Sequence, residues 1–556
     1  MLRTPHRHFG AKLFRFGLDA RISLMRGIDL ITEAVGCTLG PRGRTVLLPP
    51  EPGQNHLRIT KDGFTVARAA LPLKDPFAQL GAALAAHACE RVNSLCGDGT
   101  TTTMILIQAV TYEGLRRVAG GVDPFSLRRG LAESERAIQE WLDSRTLPGD
   151  SWIGRVATVA AGGDEKLGKL VTDALERVGR FGSASVETAH REEMSVEYWE
   201  GYRWEGGPLM PEFLQGGVGG SREIVEPLVL LTTQSISSMA PLERFIEFAR
   251  SRNRPLLLVA ERLEASVISA LLATNGPVAV RPPGMGSAGL RELNDLAALT
   301  GAVVIDPSLG LELENSDISV LGEAGRAFLF PRHATLTRPP SKNLQGLSAR
   351  LAKLRADLPR APTKFERRAL ERRIGRLTGG VALLRVGGHT PTVSAELRDR
   401  AEDALHAASS AREKGILPGG AGALLCAGRA LKDPSGNFEA KCGADILRIA
   451  LRAPAERLAY NSGLPAKYLA AKLMEAPEGK TFDVRTGAIV DALGEGIVDS
   501  AHVVKMALKE AVDIAGLILS AELAIVDVPY DDGRPVYPSM KDIAKIGDQI
   551  SGVTGL

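Results

Sequence analysis

The sequence is poor in aromatic residues, in unbroken apolar runs and in net charge, and each shortage excludes a class of protein. Aromatic side chains make up only 5% of the 556 residues, so the cores must be built mainly from Ala, Val, Leu and Ile. No apolar run reaches the roughly 18 residues that a transmembrane helix requires. The formal net charge is +3, with 68 Lys and Arg against 65 Asp and Glu. We therefore expect neither a membrane nor a nucleic acid as partner.

Cysteine is also scarce, and its arrangement indicates a reducing compartment. The five cysteines are odd in number and fit neither a zinc site nor a CxxC motif. We expect free, mostly buried thiols, which suits a cytoplasmic protein. The start of the chain, MLRTPHRHFG, is basic but lacks an apolar stretch, so we interpret it as a short cationic extension and not as a secretory signal.

The pattern of the chain changes twice along its length, which predicts several domains. A chain of 556 residues exceeds what one core normally holds. Residues 18–145 and the part from about 398 onwards have helical periodicity, with individual helices expected at 19–39, 77–95 and 101–121. The middle instead alternates short apolar runs at 227–233, 255–261 and 301–307 with helical stretches at 239–252, 263–273 and 289–299. That alternation is typical of an α/β unit. We predict an α/β multidomain protein whose two ends form one mostly helical domain, with the middle inserted.

One motif in the middle resembles a dinucleotide fingerprint. Residues Gly284–Gly289 read GMGSAG, follow the strand-like VAVRP and precede a helical stretch, and Asp306 lies 22 positions beyond the first glycine. Pro282 and Pro283, however, stand where the strand should enter the turn. We therefore favour a structural loop over a nicotinamide site.

The strongest chemical signal is LCGDGTTTTM at residues 95–104. A glycine turn that enters a helix exposes backbone N–H groups at the positive end of that helix, where anions bind. Asp98 would repel a bare phosphate, so its presence makes sense if a cation bridges the two, and Mg²⁺ suits both ligands. The residues alone leave two interpretations open: a magnesium-nucleotide site, or an Asp-Gly turn with a threonine helix cap.

Three other stretches have a similar character. TLGPRGRTV, at 38–46, is a glycine-proline turn after a helix, and TKDGFTVARA, at 60–69, places Asp62 before a glycine. AEDALHAA, at 401–408, places Asp403 on a largely apolar helical face, one turn from His406. A carboxylate on such a face is costly unless it has a partner or a task. Spacing cannot show that these stretches converge, but it makes three acids and a glycine cradle available.

Taken in order, these stretches resemble the group I 60-kDa chaperonins of the GroEL type. The resemblance extends from about Ala11 to Pro529 and includes TLGPRGRTV, ITKDGFTVAR, GDGTTTT, LTGGVALLRVGG, EDALHAA, GILPGGAGALL and ELAIVDVP. It implies the chaperonin fold: a mostly helical equatorial domain from both chain ends, a small intermediate hinge domain and an inserted apical α/β domain. The boundaries that we predict are equatorial 1–145, intermediate 146–199, apical 200–381, intermediate 382–413 and equatorial 414–556.

The resemblance implies an ATPase that works as a chaperonin subunit. Such subunits bind non-native polypeptides in a ring cavity and promote their folding through ATP binding and hydrolysis. The implied cofactors are ATP and Mg²⁺, with K⁺ as an optional second cation. The implied partners are a co-chaperonin lid, further copies of the chain in a heptameric ring, single or double, and a paralogous chaperonin that mixes with it. The alternative is a specialised ATP-binding ring or interaction protein with little general refolding activity.

The resemblance also assigns roles to individual residues. Asp98 matches the Mg²⁺ ligand, Asp62 matches an acid near the γ-phosphate, and Asp403 matches the acid that orients the attacking water. The residues that match nucleotide contacts are Thr38, Leu39, Gly40, Pro41, Lys61, Asp62, Gly63, Gly97, Asp98, Gly99, Thr100, Thr101, Thr102, Gly420, Asp483, Val484, Arg485 and Asp499. The residues that match the polypeptide-binding groove are Phe213, Ile246, Ile268 and Leu272.

The apical groove departs from the family pattern. Pro208 and Glu212 stand where the family usually has two aromatic rings, and Glu243 stands at a usual leucine. Grooves of this kind bind unfolded chains by burying apolar area, at roughly 25 cal/mol per Å². We therefore expect weaker capture of generic substrates and of the lid.

Departures outside the groove concern the base pocket, the contact between rings and the tail. Asp483 and Arg485 replace a small, neutral stretch of the base pocket. Leu464 and Pro465 replace a pair of acids used between rings, so the resemblance supports a single ring better than a double one. The family's repeated Gly-Gly-Met tail does not occur in the final residues, DDGRPVYPSMKDIAKIGDQISGVTGL. The resemblance therefore does not predict that these residues contribute to the cavity floor as that tail does.

Overall fold

The computed structural model describes most of the chain between residues 12 and 535. The residues in this span that it does not describe are 50–56, 180–181, 190–191, 193, 216–220, 275–276, 285, 340–344, 362, 434–437, 528–529 and 532–533. The basic start of the chain, at 1–10, and the final residues that were compared with the family's tail, at 536–556, lie outside the described residues. None of the described helices is long and apolar enough to pass through a membrane.

Eighteen α-helices occur among the described residues. Their bounds are α1 Gly17–Gly36, α2 Gly63–Ala69, α3 Pro76–Cys96, α4 Thr100–Ala119, α5 Pro124–Arg145, α6 Ile153–Ala160, α7 Glu165–Val178, α8 Ala240–Ser251, α9 Ala265–Ala273, α10 Gly286–Thr300, α11 Gln345–Asp357, α12 Lys364–Thr378, α13 Pro391–Lys414, α14 Gly422–Ala430, α15 Phe438–Ala450, α16 Ala453–Asn461, α17 Ala466–Glu475 and α18 Ala501–Ser520. Short 3₁₀ helices cover Asp150–Trp152, Pro211–Leu214, Pro307–Leu309, Leu313–Asn315, Ile318–Val320 and Leu358–Arg360.

The strands are short, apart from one of twelve residues. Their bounds are β1 Lys12–Phe16, β2 Val46–Leu48, β3 Arg58–Thr60, β4 Ser183–Thr188, β5 Met194–Glu205, β6 Arg222–Val225, β7 Leu228–Thr232, β8 Leu256–Ala260, β9 Val278–Val280, β10 Val304–Ile305, β11 Gly322–Glu323, β12 Arg326–Leu329, β13 His333–Thr337, β14 Gly380–Val386, β15 Ile416–Pro418, β16 Lys480–Phe482, β17 Ile489–Asp491, β18 Val498–Ser500, β19 Leu523–Asp527, β20 Tyr530–Asp531 and β21 Arg534–Pro535.

The chain forms two compact units, and both chain ends contribute to the same one. The first unit comprises residues 1–162 and 414–556, and the second comprises 163–413. The prediction that the middle of the chain is inserted between two helical ends is therefore confirmed. The five narrower domain boundaries stay a prediction, because only two units separate.

The first unit is a helical assembly whose main core is built largely from Ala, Val, Leu and Ile, with a few Met and Cys side chains. Helices α1, α3, α4 and α18 pack together, with α5 and α15 beside them. Small residues allow the close contact of α1 with α3: a Cβ atom on Gly81 would lie 2.0 Å from the carbonyl oxygen of Leu24. Among the described residues, the aromatic side chains in the clusters of these helices are Phe77, which packs against β19, and the half-buried Trp141 of α5. The low aromatic content thus suits this type of helix packing.

Two sheets occur among the described residues of the second unit, which matches the predicted α/β alternation. One sheet has the order β10-β7-β8-β9, with β11 also paired to β7, and its β7, β8 and β10 correspond to the predicted apolar runs. Helices α8, α9 and α10 follow β7, β8 and β9 in the chain, as the sequence predicts. The other sheet has the order β4-β14-β5-β13-β12-β6.

The strand order excludes the dinucleotide interpretation of GMGSAG. Residue 285 of that motif is not described, but β9 precedes the motif, α10 follows it, and Asp306 comes directly after β10. In a dinucleotide fold, the two strands joined by this helix lie next to each other. Here β9 and β10 lie at opposite edges of their sheet. Asp306 instead accepts the N–H of Ser308 at 3.0 Å and caps a 3₁₀ turn.

Candidate functional site

The GDGTTTT stretch forms a glycine turn at the start of α4. Gly97 and Gly99 have φ angles of 70° and 91°, in the left-handed region that favours glycine. A Cβ atom on Gly99 would also lie 2.5 Å from the Val503 side chain. Gly99 is the N-cap residue and offers no side-chain cap. Backbone N–H groups at such a helix start have no partner within the helix, so they are suited to bind an anion.

Three stretches that are far apart in the sequence meet at this turn. The hydroxyl oxygens of Thr38 and Thr101 are 3.4 Å apart. A Cβ atom on Gly63 would lie 2.1 Å from the hydroxyl oxygen of Thr101 and 3.2 Å from that of Thr100. The turn after α1, the start of α2 and the start of α4 therefore form one surface. Spacing in the sequence could not show that these three stretches meet, and the structure shows that they do.

Asp62 is held in place by the helix that it caps. Its carboxylate accepts the N–H groups of Phe64, at 3.0 Å, and Thr65, at 2.8 Å, while its own N–H donates to the Thr60 hydroxyl at 3.0 Å. Asp62 is half-buried, whereas the neighbouring Lys61 is exposed. These bonds orient the carboxylate before any ligand binds.

The late glycine turn, residues 419–421 between β15 and α14, brings a third carboxylate, that of Asp499, to the site. Strand β15 pairs with β18 so that Leu417 lies opposite Asp499. The chain then turns through Gly420, whose N–H donates to the Asp499 carboxylate. The Thr481 hydroxyl donates to the Gly420 carbonyl at 3.3 Å, which joins β16 to the same turn.

The three carboxylates influence one another. Burial raises the pKa of Asp98, Asp62 raises it further, and the Gly99 N–H, 2.5 Å from the carboxylate, opposes both. Burial raises the pKa of Asp499 to about 6, and the charge of Asp98 adds to this effect. Since accumulated negative charge raises both values, a bound cation would relieve the repulsion.

The donor set fits a magnesium-nucleotide complex better than a bare metal ion. Among the described residues, no three His, Cys, Asp or Glu side chains lie close enough to hold a metal by themselves. Mg²⁺ commonly binds through one or two carboxylates together with phosphate oxygens. The residues present, carboxylates beside an uncapped helix start, fit that combination.

Replacement of Asp499 by asparagine (Asp499→Asn) should stabilise the nucleotide-free protein at alkaline pH. Its pKa of about 6 exceeds the ordinary value of 3.8, so folding favours the protonated carboxyl. The resulting stability is complete below about pH 4 and is lost as the pH rises through 6. We expect the variant to melt a few degrees above the native protein at pH 8, with the difference shrinking at pH 5.

The control for this prediction is Asp491→Asn in the same unit. Hydrogen bonding by the Gly494 N–H lowers the pKa of Asp491, so its replacement should lower the melting temperature at pH 8 or leave it unchanged. Differential scanning calorimetry at both pH values gives the answer. Equal effects of the two substitutions would contradict the assigned cause.

An apolar cluster lies beside the surface formed by the turn after α1 and the starts of α2 and α4. Its centre includes buried Leu425, Leu458 and Phe482, and half-buried Leu39 and Val484 pack against it. These last two residues belong to the predicted nucleotide contacts. The exposed turn residues Gly40 and Pro41 follow Leu39 directly, so the 38–41 turn borders both the start of α4 and this cluster.

Asp483 and Arg485 form an ion pair at the edge of the cluster. The Arg485 guanidinium donates to both carboxylate oxygens of Asp483, with the shortest distance 3.0 Å. These bonds lower the pKa of the buried Asp483. The Arg485 side chain itself is 68% exposed.

Asn461 supports the site and was not predicted from the sequence. Its amide nitrogen donates to the carbonyl oxygens of Gly36, at 2.9 Å, and Leu39, at 3.0 Å. These bonds hold the backbone of the 38–41 turn. Asn461 ends α16, and no motif or spacing in the sequence links it to a turn more than 400 residues earlier, so it had no detectable signal.

The remaining predicted site residues lie in the second unit. Asp403 is half-buried on α13, beside buried Ala404, and its role stays a prediction. Ile268 and Leu272 lie one turn apart on α9 and are half-buried. The other two residues predicted to bind polypeptide, Phe213 and Ile246, are buried in the core of the unit.

The burial of Phe213 and Ile246 reduces the number of predicted groove residues that a client can contact. Phe213 and Ile246 are 1% and 6% exposed, so their side chains face the core and offer almost no surface to a client. Glu212 and Glu243, the two acidic departures, are exposed. The accessible part of the predicted set is therefore Ile268 and Leu272.

Comparisons with known proteins agree with this architecture. The model of the TCP-1/cpn60 chaperonin family matches residues 31–262 and 254–529. The mitochondrial heat shock protein 60 of Candida albicans is 35% identical over 549 residues, which cover 97% of this chain and 96% of that protein.

Solved structures show the same fold. The chaperonin gp146 from the bacteriophage EL 2 (Pseudomonas aeruginosa), crystallised in the presence of ATP-BeFx, superimposes in its crystal form II with a TM-score of 0.72 and 22% identity, over 93% of this chain and all of that one. Crystal form I gives a TM-score of 0.65 over 92% and 99% of the two chains. These comparisons support a chaperonin subunit and add nothing in favour of the alternative, a specialised ring protein. The chain therefore belongs to the TCP-1/cpn60 chaperonin family, as a subunit of the group I type.

Proposed function

We propose that this chaperonin subunit binds ATP with Mg²⁺ at the start of α4 and hydrolyses the nucleotide to drive the folding of non-native polypeptides. One observation carries the proposal: Asp98, Asp62 and Asp499 gather at a helix start that has no side-chain cap. Such a site combines anion-binding N–H groups with excess negative charge. A triphosphate and a divalent cation together satisfy both.

The residues around this helix start would divide the work of binding. The N–H groups and hydroxyls of Thr100, Thr101 and Thr102 would bind the phosphates, with Lys61 adding positive charge. The 38–41 turn would cover the nucleotide, and Gly420 with Asp499 would contact the base and the ribose. The exposed positions of Lys61, Gly40 and Pro41 support these roles, because each is accessible to a ligand.

Hydrolysis would depend on positioning and charge neutralisation. When bound, Mg²⁺ neutralises charge on the phosphate oxygens, and Asp98 would be its protein ligand; K⁺ is a candidate for a second cation. Asp62, oriented by two backbone N–H groups, would stand near the γ-phosphate. Asp403 would orient the attacking water, with no covalent intermediate.

Assembly into a homo-oligomeric ring is supported by an exposed apolar ribbon. Strands β1 and β19 form an antiparallel pair in which Phe14 lies opposite Ile525 and Phe16 opposite Leu523. All four side chains are exposed, and the two phenylalanine rings stack with centroids 6.5 Å apart. A face of this kind marks an interaction site, and we propose a neighbouring copy as its partner.

The other proposed partners follow from the family. We propose a heptameric ring, single or double, closed by a co-chaperonin lid, with mixed rings if a paralogous chaperonin is present. Clients would be non-native polypeptides held through Ile268 and Leu272. Free thiols at all five cysteines, four of them buried, suit a reducing compartment, and we propose the cytoplasm; the relative from Candida albicans is named as mitochondrial.

The double substitution Glu212→Tyr with Glu243→Leu should strengthen the capture of a denatured protein. Both carboxylates are exposed in the second unit, and replacing them adds apolar surface that a client can bury. We expect roughly three- to tenfold tighter capture, measured as suppression of aggregation of a denatured test protein. A matched control places the same two substitutions on α7, at exposed Glu176 and Glu165. If both doubles behave alike, Glu212 and Glu243 do not limit client binding.

The proposed function is tested by electron microscopy and phosphate release on one purified sample. Negative-stain images with and without ATP should show sevenfold rings, and the same sample should release phosphate only when Mg²⁺ is present. Rings without turnover would contradict the ATPase proposal. Turnover by isolated subunits would contradict the ring.

A further inference from the structure

We infer that Asp483 and Arg485 form a stacking wall for the nucleobase, so that this site accepts bases other than adenine with similar affinity. The inference depends on the nucleotide binding proposed above and concerns how the base is held. It starts from three features of the described residues: a tight turn, a bidentate ion pair and an adjoining apolar cluster.

The turn between β16 and β17 fixes the backbone around the pair. The N–H groups of Gly487 and Thr486 donate to the Asp483 carbonyl at 2.7 and 3.2 Å, which closes the turn. The Asp483 carboxylate also accepts the backbone N–H of Arg485 at 2.9 Å. The carboxylate is thus held by the turn that carries its partner.

The ion pair then fixes the side chain of Arg485. Its Nε lies 3.1 Å from one oxygen of Asp483, and a terminal nitrogen lies 3.0 Å from the other. Two parallel bonds of this kind hold a guanidinium in a defined plane. Because 68% of the side chain is exposed, that plane is accessible at the surface.

The apolar cluster places the plane beside the nucleotide site. Val484, between the two paired residues, packs against the same cluster as Leu39 from the 38–41 turn and Ala421 from the late glycine turn. Thr481, two residues before Asp483, donates to the carbonyl of Gly420. An apolar patch flanked by a flat cation suits a flat heteroaromatic ring.

The chemistry of the pair favours stacking over recognition of base edges. Both oxygens of Asp483 accept hydrogen bonds from Arg485, and these bonds lower the pKa of the carboxyl. The carboxylate therefore stays ionised and occupied at neutral pH. A guanidinium plane stacks well on aromatic faces. Stacking depends little on which base is bound, because every base has such a face.

The test is a binding titration of the full-length protein by calorimetry, in the presence of Mg²⁺. The probes are non-hydrolysable analogues of ATP, GTP and CTP, and tripolyphosphate as a ligand without a base. For the native protein, we expect the three nucleotides to bind within about threefold of one another, all more tightly than tripolyphosphate. Arg485→Ala should weaken all three nucleotides about tenfold and leave tripolyphosphate unchanged.

Two further variants separate stacking from charge. Arg485→Lys keeps the charge but loses the plane, so it should resemble Arg485→Ala. Arg145→Ala removes another exposed arginine of the same unit that is paired with a carboxylate, Glu478, and it should bind all probes as the native protein does.

The following outcomes would overturn the inference. An equal loss of tripolyphosphate binding in Arg485→Ala would assign the residue to the phosphates, and full affinity in Arg485→Lys would assign it a role as a point charge. A strong preference of the native protein for adenine would exclude base tolerance. If the native protein binds tripolyphosphate and the nucleotides equally, the base is not held at all, whereas binding of none of the probes would overturn the proposed function itself.

Discussion

Asp98→Asn is expected to abolish magnesium-dependent nucleotide binding, with affinity at least about a hundredfold lower than in the native protein. The variant keeps the size of the side chain but removes the charge that would hold the cation. In the native protein, this charge is maintained at a cost, because burial and Asp62 both raise the pKa of Asp98. Titration with a non-hydrolysable ATP analogue, with and without Mg²⁺, measures the loss.

The stability of Asp98→Asn shows whether the loss of binding is specific. Removing a carboxylate whose pKa is raised should increase the melting temperature of the nucleotide-free protein at pH 8. A variant that is more stable yet does not bind has lost the site and not the fold. Asp123→Asn is the matched control: this residue caps α5 outside the site, and asparagine caps nearly as well. Normal magnesium-dependent affinity in Asp98→Asn would refute the metal assignment.

Asp403→Ala is expected to leave ATP binding largely intact but to slow hydrolysis at least about tenfold. The residue is half-buried on α13, in the second unit. Its proposed task arises only when water attacks the nucleotide, so its removal should lower the turnover number and not the binding affinity. Phosphate release under saturating ATP, together with a binding titration, separates the two quantities.

The control for this variant is Asp399→Ala, one helical turn earlier on α13. It removes a carboxylate that is half-buried on the same helix and lies 3.7 Å from Arg398, so it shows the effect of losing a carboxylate from α13 at another position. We expect native turnover from Asp399→Ala. Unchanged turnover in Asp403→Ala, or an equal decrease in both variants, would refute the assigned role of Asp403.

Most of the architecture could be predicted from the sequence because the relevant signals are local. Helical periodicity predicted α1, α3 and α4 to within a few residues, and short apolar runs predicted β7, β8 and β10. The glycines of GDGTTTT predicted a turn before a helix, and the structure gives both of them left-handed backbone conformations. Each of these features depends on residues only a few positions apart.

The groove prediction shows where local signals are insufficient. Phe213 and Ile246 are apolar at matching positions, but apolarity does not separate a residue that binds a client from one that fills a core. Packing against β7, β8 and their neighbours buries both side chains. Ile268 and Leu272 have the same chemical character and remain partly accessible.

The sequence by itself determined the helical ends, the α/β middle, the family and the types of side chain at the proposed nucleotide site. These follow from local patterns and from motifs that occur in a fixed order. Only the tertiary structure decided which residues meet: Thr38 with Thr101, Gly63 with the start of α4, and Asn461 with the 38–41 turn. The physical reason is that hydrogen bonding, burial and electrostatic repulsion act over a few ångströms in space, irrespective of the separation along the chain.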